Sequence, residues 1–385
     1  MTVTSFTPPE RLLLGPGPSN VAPQVLAASA QPSIGHLDPA FSAMMEDLKD
    51  RLRGLMGTAN PVTFPLSAPA SLAMEAALAN LLEPGDRAVI AQNGVFGGRM
   101  ADIARRCGAD VTLVETAWGK PVDLDALRDA LAWVEAPKLV AFVHAETSTG
   151  VRSDAAAICA MAAEHGALSI VDCVTSLAGL PVEADAWGAD VVYSGTQKCL
   201  SCPPGLAPIT FSPRAVAAVE ARKTPVQSWF CDLGLVLGYW RADGAGPRSY
   251  HHTAPVNALY GLHEALGRVL DEGLEAVRAR HAAAHARLAE GLAALGLEFL
   301  VEPGARLPML NTVRIPDGVE DAPLRAALLQ GRGIEIGAGL GPLAGKVWRI
   351  GLMGENARPE TVDRLLDALA EALSAARARA AIAAE

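Results

Sequence analysis

The feature that most constrains the fold is an alternation of short apolar runs with amphipathic stretches between residues 86 and 212. The apolar runs are rich in Val and Ile and nearly continuous, as expected for strands that are buried on both faces of a sheet. The runs lie at residues 86–92, 110–116, 138–146, 167–174, 190–195 and 206–212. Strands that alternate with helices connect through right-handed crossovers, so the pattern predicts an α/β fold with a mostly parallel central sheet flanked by helices.

The C-terminal part of the chain follows a different pattern. A long helical stretch over 254–295 is interrupted near Gly273, which predicts two helices that join two domains. Beyond Leu297 the patterns predict a strand at 310–316, a helix, two further strands of which the second lies at 346–352, and a last helix, which together make a smaller α+β domain. We therefore expect three parts, which are an N-terminal segment 1–20, a large domain 21–275 and a small C-terminal domain 276–385.

The composition excludes several classes of function. Apolar residues make up 50% of the chain and charged residues 19%, which is too apolar for a disordered protein. No run approaches the roughly 18 apolar residues of a membrane-spanning helix, so we expect no membrane partner. The net charge of −10 argues against nucleic acid as the main partner, because phosphate binding depends on Lys and Arg. The start of the chain shows no secretory signal and its six cysteines suit a reducing compartment, which predicts a cytoplasmic protein.

Two ionisable residues follow neighbouring predicted strands. Asp172 ends the Leu, Ile and Val part of the run at 167–174, and Lys198 comes just after the run at 190–195. In an open parallel sheet the ligand lies beyond the carboxyl ends of the strands, so both side chains are expected to converge on one cleft. A carboxylate that pairs with a pyridinium nitrogen and a lysine that forms an imine are the two protein groups that pyridoxal phosphate requires. The simpler alternatives are a helix N-cap for Asp172 and an ordinary surface lysine for Lys198.

Two further pairs of residues suggest metal or redox chemistry. Cys199 and Cys202 form a C-x-x-C motif, which is typical of a redox pair or of half a zinc site. No second C-x-x-C follows, so we favour small packing thiols. His251 and His252 have no acidic or cysteine neighbour at ligand spacing, so we expect no metal site there.

The chain resembles the class V, fold-type I pyridoxal-phosphate enzymes, and among them the alanine–glyoxylate and serine–glyoxylate aminotransferases. The resemblance covers nearly the whole chain and is carried by SGTQK at 194–198 and PPG at 203–205, with VD upstream at 171–172 and WRIGLMG downstream at 348–354. Other matching segments include GPGPSN at 15–20, NGVFGG at 93–98 and YHHTAPVNALYGL at 250–262. Their order along the chain makes the match specific, because any one of them alone would be weak.

The resemblance implies a role for each residue around the cofactor ring. Lys198 would hold pyridoxal phosphate covalently and carry the proton between the substrate's α-carbon and the cofactor. Asp172 would keep the pyridine nitrogen protonated. Phe96 would stack on one face of the ring, Val174 would pack on the other, and Thr147 would bind the phenolic oxygen. Considered alone, Phe96 is more typical of a core aromatic, and Thr147 of a helix cap.

The resemblance also implies which residues bind the phosphate and the substrate. The phosphate would be held by Ala70, Ser71 and Gln197, together with Tyr250 and Thr253 of the partner subunit in a homodimer with a shared active site. Arg349 would bind the substrate carboxylate, although an isolated arginine on a strand is usually solvated, and we regard nearby Arg314 as structural. Gly17 would contact the substrate from the N-terminal segment, which would close over the active site.

The turn before the phosphate site departs from the family pattern. Relatives have a glycine-rich S-G-x-G turn, whereas this chain has Ser67–Ala68–Pro69–Ala70–Ser71. Alanine disfavours positive φ angles and Pro69 lacks a backbone donor. A helix N-terminus would still present free N–H groups, so we expect a phosphate site of different backbone shape.

The resemblance implies a pyridoxal-phosphate-dependent aminotransferase that moves an amino group from alanine or serine to glyoxylate or a similar 2-oxo acid. One alternative is another enzyme of the same fold that acts on pyridoxamine or an aminophosphonate. A cysteine desulfurase would need a nucleophilic thiol, and Cys231, the candidate by position, lacks the basic neighbours that activate a thiol. A second class of alternative is a non-catalytic binding protein, which only the altered turn at 67–71 favours.

Overall fold

The computed structural model describes residues 5–240 and 248–383. Its strands are β1 Leu12–Leu14, β2 Val62–Leu66, β3 Arg87–Gln92, β4 Asp110–Glu115, β5 Leu139–Val143, β6 Ala145–Glu146, β7 Val151–Arg152, β8 Leu168–Asp172, β9 Val191–Tyr193, β10 Ala207–Phe211, β11 Leu310–Arg314, β12 Ile334–Ala338 and β13 Val347–Gly351. Its helices are α1 Pro23–Ser29, α2 Pro39–Met56, α3 Ala70–Leu81, α4 Val95–Arg106, α5 Leu124–Trp133, α6 Ala155–Glu164, α7 Ala184–Trp187, α8 Pro213–Glu220, α9 Leu233–Trp240, α10 Val256–Glu272, α11 Leu274–Ala294, α12 Asp321–Arg332 and α13 Pro359–Ala383. Single turns of 3-10 helix lie at Pro303–Ala305, Gly341–Leu343 and Gly354–Asn356.

The central sheet has seven strands in the order β2-β10-β9-β8-β5-β3-β4. The five strands from β9 to β4 are mutually parallel, and β10 runs antiparallel to both of its neighbours. Strands β5 and β8 are buried along their whole length, because helices cover both faces of the sheet. The predicted α/β fold with a mostly parallel sheet is confirmed, and each of the six predicted runs contains a strand.

Strand β2 was not among the predicted runs. Its sequence, VTFPL, contains Pro65, and a proline within a run argues against a strand because it cannot donate to a neighbour. The structure places β2 at the edge of the sheet, where it has one neighbouring strand, β10. An edge strand tolerates proline, so Pro65 is consistent with the position of β2 in the sheet.

The small domain is built on a four-stranded sheet in the order β1-β12-β13-β11. Helices α11, α12 and α13 pack against this sheet around a second hydrophobic core, which includes Leu14 and Trp348. Strand β1 therefore ties the N-terminal segment, which was predicted as a separate part, into the small domain.

Two long helices connect the domains, as predicted from the stretch 254–295. They are α10 and α11, and Gly273 between them has a φ of +86°, which suits glycine. On α11, Val277 packs in the core of the large domain, whereas Ala284 and Leu288 pack in the core of the small domain. The division at 275/276 stays a prediction. Among the described residues, no helix is both long and apolar enough to cross a membrane.

Candidate active site

A cavity of about 100 Å³ lies at the carboxyl ends of β5, β8 and β9, where helices α3 and α4 begin. This is the edge at which parallel sheets bind ligands. The cavity is lined by Pro69, Ala70, Ser71, Met74, Phe96, Arg99, Val143, Thr147, Asp172, Val174, Gln197 and Lys198. It thus brings together the eight cofactor-binding residues that were assigned to this subunit, and their individual roles stay predictions.

Lys198 lies in the turn after β9 and is only 8% exposed. Its Nζ donates a hydrogen bond to the carbonyl oxygen of Pro16 in the N-terminal segment. Burial lowers the pKa of Lys198 to about 8, and the nearby charge of Arg349 lowers it as well. The surface-lysine alternative is therefore wrong, and a substantial fraction of this amine is neutral and nucleophilic near pH 8.

Asp172 is the last residue of β8 and is 3% exposed. Its Oδ1 accepts a hydrogen bond from Val174 N at 2.8 Å, and its Oδ2 accepts one from the Tyr193 hydroxyl at 2.8 Å. Burial raises the pKa of Asp172 to about 6, although both hydrogen bonds oppose this rise. Because turns rather than a helix follow Asp172, the helix N-cap alternative is wrong.

Tyr193 and Glu146 are two buried residues near the cavity that the sequence analysis missed. Tyr193 ends β9 and pairs in register with Asp172 on β8, which brings its hydroxyl to the carboxylate. Glu146 accepts hydrogen bonds from Ser148 N at 2.9 Å and from Phe96 N at 3.2 Å, so it fixes the start of α4. Burial raises the pKa of Glu146. Glu146 follows an apolar run as Asp172 does, so the same signal was available for it.

Phe96 and Thr147 contribute to the wall of the cavity. Phe96 lies in the first turn of α4 and is packed against the hydrophobic core while it lines the cavity. Thr147 lies in the turn between β6 and β7, where its Oγ1 is 2.5 Å from Thr175 Oγ1, so the helix-cap alternative is wrong.

The phosphate-binding end of the predicted site is the N-terminus of α3. Pro69 is its N-cap residue and makes no side-chain capping bond, while Ala70 and Ser71 form the first turn. No residue of the turn 67–71 has a positive φ, which explains why alanine fits here. Beside it, the buried Oε1 of Gln197 has no hydrogen-bond partner within the described part of the chain.

These groups fit pyridoxal phosphate. The free N–H groups at the start of a helix suit a phosphate, and the orphaned Gln197 side chain faces the same end of the cavity. A buried lysine of lowered pKa suits the aldehyde, and the buried carboxylate of Asp172 suits a pyridinium nitrogen.

Arg349 reaches the site from the small domain. It lies on β13, is 6% exposed, and donates from Nε to Ala338 O at 2.7 Å and from Nη1 to Thr147 O at 3.2 Å. Burial lowers the pKa of Arg349 to about 10, so it stays a cation at neutral pH. The solvated-arginine alternative is wrong, whereas Arg314 on β11 is exposed, and its structural role stays a prediction.

The N-terminal segment lies directly over Lys198. Gly17 has a φ of +106°, and a Cβ atom there would lie 2.7 Å from Lys198 Nζ, so only glycine fits. Ser19 fixes the segment, because its N donates to Gln197 O at 2.9 Å and its Oγ donates to Lys198 O at 2.8 Å.

The structure does not bring Tyr250 and Thr253 to the cavity of their own chain. Tyr250 is 66% exposed, and its hydroxyl is 3.5 Å from Thr253 Oγ1. Its neighbour His252 donates to or accepts from Ser67 Oγ at 2.8 Å, so this segment packs beside the phosphate turn. That these residues serve a partner subunit stays a prediction.

The cysteines are not arranged for catalysis. Cys199 and Cys202 are free and buried, and burial raises the pKa of each to about 12, which favours packing thiols. Cys231 is buried and its pKa is raised, which is the opposite of what a desulfurase nucleophile needs. In the ranges 5–240 and 248–383, no group of three His, Cys, Asp or Glu side chains could hold a metal ion.

A parallel sheet that places a buried lysine and a carboxylate at one edge, with an arginine from a small domain, defines a fold-type I transferase. The family model described as "Aminotransferase class-V" matches residues 13–365. The chain belongs to this family and is an aminotransferase, which confirms the predicted family and enzyme class. Class V aminotransferases generally depend on pyridoxal phosphate.

Relatives with established names support the same family. Alanine–glyoxylate aminotransferase from Felis catus is 42% identical over 366 residues, which cover 95% of this chain and 88% of the relative. (S)-ureidoglycine–glyoxylate transaminase from Bacillus subtilis is 38% identical, with coverage of 92% and 88%. Among solved structures, alanine–glyoxylate aminotransferase from Nostoc sp. superposes with a TM-score of 0.94 at 46% identity and covers 97% of this chain and 98% of that one.

Proposed function

We propose that this chain is a pyridoxal-phosphate-dependent aminotransferase that moves an amino group from a small amino acid, alanine or serine, to glyoxylate or a similar 2-oxo acid. The observation that carries the proposal is that Lys198 and Asp172, both nearly buried, line one cavity, and that the buried Arg349 donates to the carbonyl oxygen of Thr147 in the cavity wall. The names of all three relatives contain glyoxylate, whereas two of them name alanine as the partner substrate and the third names (S)-ureidoglycine. Glyoxylate is therefore the better supported of the two substrates.

Each residue of the site has a task that its environment suits. When bound, the cofactor supplies an electron-accepting ring for the carbanion formed at the substrate α-carbon. Asp172 would hold a proton on the ring nitrogen, because its pKa of about 6 leaves it ionised at neutral pH. Lys198, as a neutral amine, would take the proton from the substrate α-carbon and donate it to the cofactor carbon that receives the amino nitrogen.

Arg349 and the N-terminal segment define the substrate end. Arg349 binds the carboxylate, and its bonds to Ala338 O and Thr147 O fix the guanidinium before substrate arrives. Pro16 and Gly17 lie over Lys198, which restricts the space beside the reacting carbon and favours donors with small side chains. The same segment covers Lys198, which is 8% exposed.

We also propose a homodimer in the cytoplasm. The large aromatic side chains of Tyr250 and Trp229 are 66% and 59% exposed. The ring centroid of Tyr250 is 5.6 Å from that of His36, and Trp229 stacks on His251. Exposed aromatic side chains of this size on a chain with a buried core support an interface with a second copy. All six cysteines are free, as suits a reducing compartment.

A substrate panel tests the proposed donor and acceptor. Purified protein is mixed with L-alanine, L-serine, L-aspartate or pyridoxamine, and the absorbance change of the bound cofactor is followed before glyoxylate or pyruvate is added. We expect alanine or serine to react fastest and glyoxylate to restore the spectrum. Turnover of pyridoxamine with no reaction of any amino acid would contradict the proposal.

Arg349→Met is expected to lower kcat/KM for both the amino acid and the oxo acid by roughly 10²-fold or more, because the carboxylate loses two charge-assisted hydrogen bonds. Steady-state kinetics with alanine and glyoxylate measures this loss, while the affinity for the cofactor should stay unchanged. Arg314→Met, an exposed position on the adjacent strand β11, is the matched control. Equal effects of the two substitutions would contradict the assignment of Arg349.

Tyr193→Phe is expected to raise the pKa of Asp172 above about 6, because the variant removes a hydrogen bond that stabilises the carboxylate. Binding of the cofactor to cofactor-free protein needs the ionised form of Asp172. On acidification, cofactor binding should therefore be lost at a higher pH in the variant than in the wild type. Titrations between pH 5 and 8 measure this, and Tyr239→Phe, a buried tyrosine outside the cavity, is the control. Superposable pH profiles would show that Tyr193 does not tune the carboxylate.

A further inference from the structure

Arg99 lies in the cavity wall and is not among the residues to which the family resemblance assigns a role. It follows Phe96 by three residues on α4, so the two side chains share one face of the helix. The Arg99 guanidinium carbon lies 4.9 Å from the centroid of the Phe96 ring. Its Nη1 donates a hydrogen bond to Ser71 Oγ at 3.0 Å, at the start of α3.

The charge of Arg99 is not matched by an acid. Within residues 5–240 and 248–383 it forms no ion pair, although its side chain is partly buried. Of the twelve residues that line the cavity, the cations are Arg99 and Lys198, and Lys198 bonds the N-terminal segment instead. A partly buried cation that lines a cavity and has no carboxylate partner of its own is suited to an anionic ligand.

The start of α3 provides few donors of its own. Pro69 has no N–H, Ala70 has no polar side chain, and the N–H of Leu72 already donates to Pro69 O at 2.8 Å. The N–H groups of Ala70 and Ser71 and the Ser71 hydroxyl are left, and none of them carries a charge. A phosphate monoester bears close to two negative charges at pH 7, so this end of the cavity needs a cation.

We propose that Arg99 binds the phosphate of pyridoxal phosphate and compensates for the backbone donor that Pro69 lacks. Its guanidinium donates a charge-assisted hydrogen bond to a phosphate oxygen. Because Ser71 Oγ accepts from Arg99, the Ser71 hydroxyl hydrogen is free to donate to a second phosphate oxygen. The proposal rests on the proposed function, since it takes pyridoxal phosphate as the ligand of this cavity.

The test compares two ligands that differ in the phosphate alone. Cofactor-free protein, prepared from the purified holoenzyme, is titrated with pyridoxal phosphate and with pyridoxal, and binding is measured by quenching of protein fluorescence. In Arg99→Met the affinity for pyridoxal phosphate should fall by about 10- to 100-fold, whereas the affinity for pyridoxal should stay the same. Arg99→Lys, which keeps the charge but not the two parallel donors of the guanidinium, should show a smaller loss of affinity for pyridoxal phosphate.

Arg105→Met is the matched control, because Arg105 lies on the same helix α4 and is exposed. Its affinity for both ligands should equal that of the wild type. An unchanged affinity of Arg99→Met for pyridoxal phosphate would overturn the role of Arg99, and so would an equal loss for both ligands. If the wild type bound neither ligand, the proposed function would fall instead, so the two failures are distinguishable.

A measurement on the wild type does not depend on how well a variant folds. Cofactor-free protein is treated with phenylglyoxal, which modifies arginine, and modification of the peptide that contains Arg99 is quantified by mass spectrometry. Inorganic phosphate and pyridoxal phosphate should both protect Arg99 at least fivefold, and pyridoxal should not. Arg105 in the same protein should be modified equally in all samples, and a lack of protection of Arg99 by either phosphate would contradict the proposal.

Discussion

Replacing Lys198 by alanine is expected to lower the rate of transamination by roughly 10⁴-fold or more, because no other neutral amine lines the described cavity. The only other cation in the lining is Arg99, and the nearby Arg349 keeps its proton at neutral pH. The measurement is the single-turnover rate of the reaction with L-alanine, followed by the absorbance of the bound cofactor. Reduction of the wild type with borohydride should also attach the cofactor to the peptide that contains Lys198.

Two controls separate loss of the amine from general damage. Lys223→Ala removes an exposed lysine and should leave the rate unchanged. A small primary amine added to Lys198→Ala should restore part of the rate, because the cavity that the side chain leaves can admit it. A rate for Lys198→Ala within threefold of the wild type would refute the assigned chemistry.

Much of the fold could be predicted because strands that are buried on both faces of a sheet consist mainly of apolar residues. Strands such as β5 and β8 are continuous or nearly continuous apolar runs, and α10 and α11 are separated where Gly273 interrupts the periodicity. Strands β1 and β2 were missed for physical reasons. Strand β1 has only three residues and pairs with β12, which lies more than 300 residues away along the chain, and β2 contains a proline that its edge position tolerates.

The residues of the site also include some that the sequence predicts and some that it does not. Asp172 and Lys198 could be predicted because topology alone brings the carboxyl ends of neighbouring strands together. Arg349 could be predicted only from the family resemblance, because nothing in the sequence of its strand indicates that its side chain points towards Thr147. The position of the Tyr193 side chain depends on the register of β9 with β8, and that of Arg99 depends on which face of α4 points towards the cavity. Neither can be determined before the neighbouring elements are placed.

Asp172→Asn is expected to lower kcat by roughly 10²- to 10³-fold, because the variant keeps the shape of the site but cannot stabilise a proton on the ring nitrogen by charge. An asparagine oxygen can still accept from Val174 N or from the Tyr193 hydroxyl, so the geometry of the two neighbours is retained. Single-turnover rates with L-alanine at pH 7.5 measure the effect, and the affinity for the cofactor should also fall.

The stability of the cofactor-free protein gives the control for this variant. Burial raises the pKa of Asp172 from its ordinary value of 3.8 to about 6, so the folded state favours the protonated acid. Ionisation above pH 6 therefore costs stability, and this cost is absent below the unfolded pKa. Cofactor-free Asp172→Asn should melt no lower than the wild type at pH 7.5, even though its activity is low. A large fall in the melting temperature together with unchanged kcat would instead make Asp172 a structural residue, and the account of the ring nitrogen would have to be abandoned.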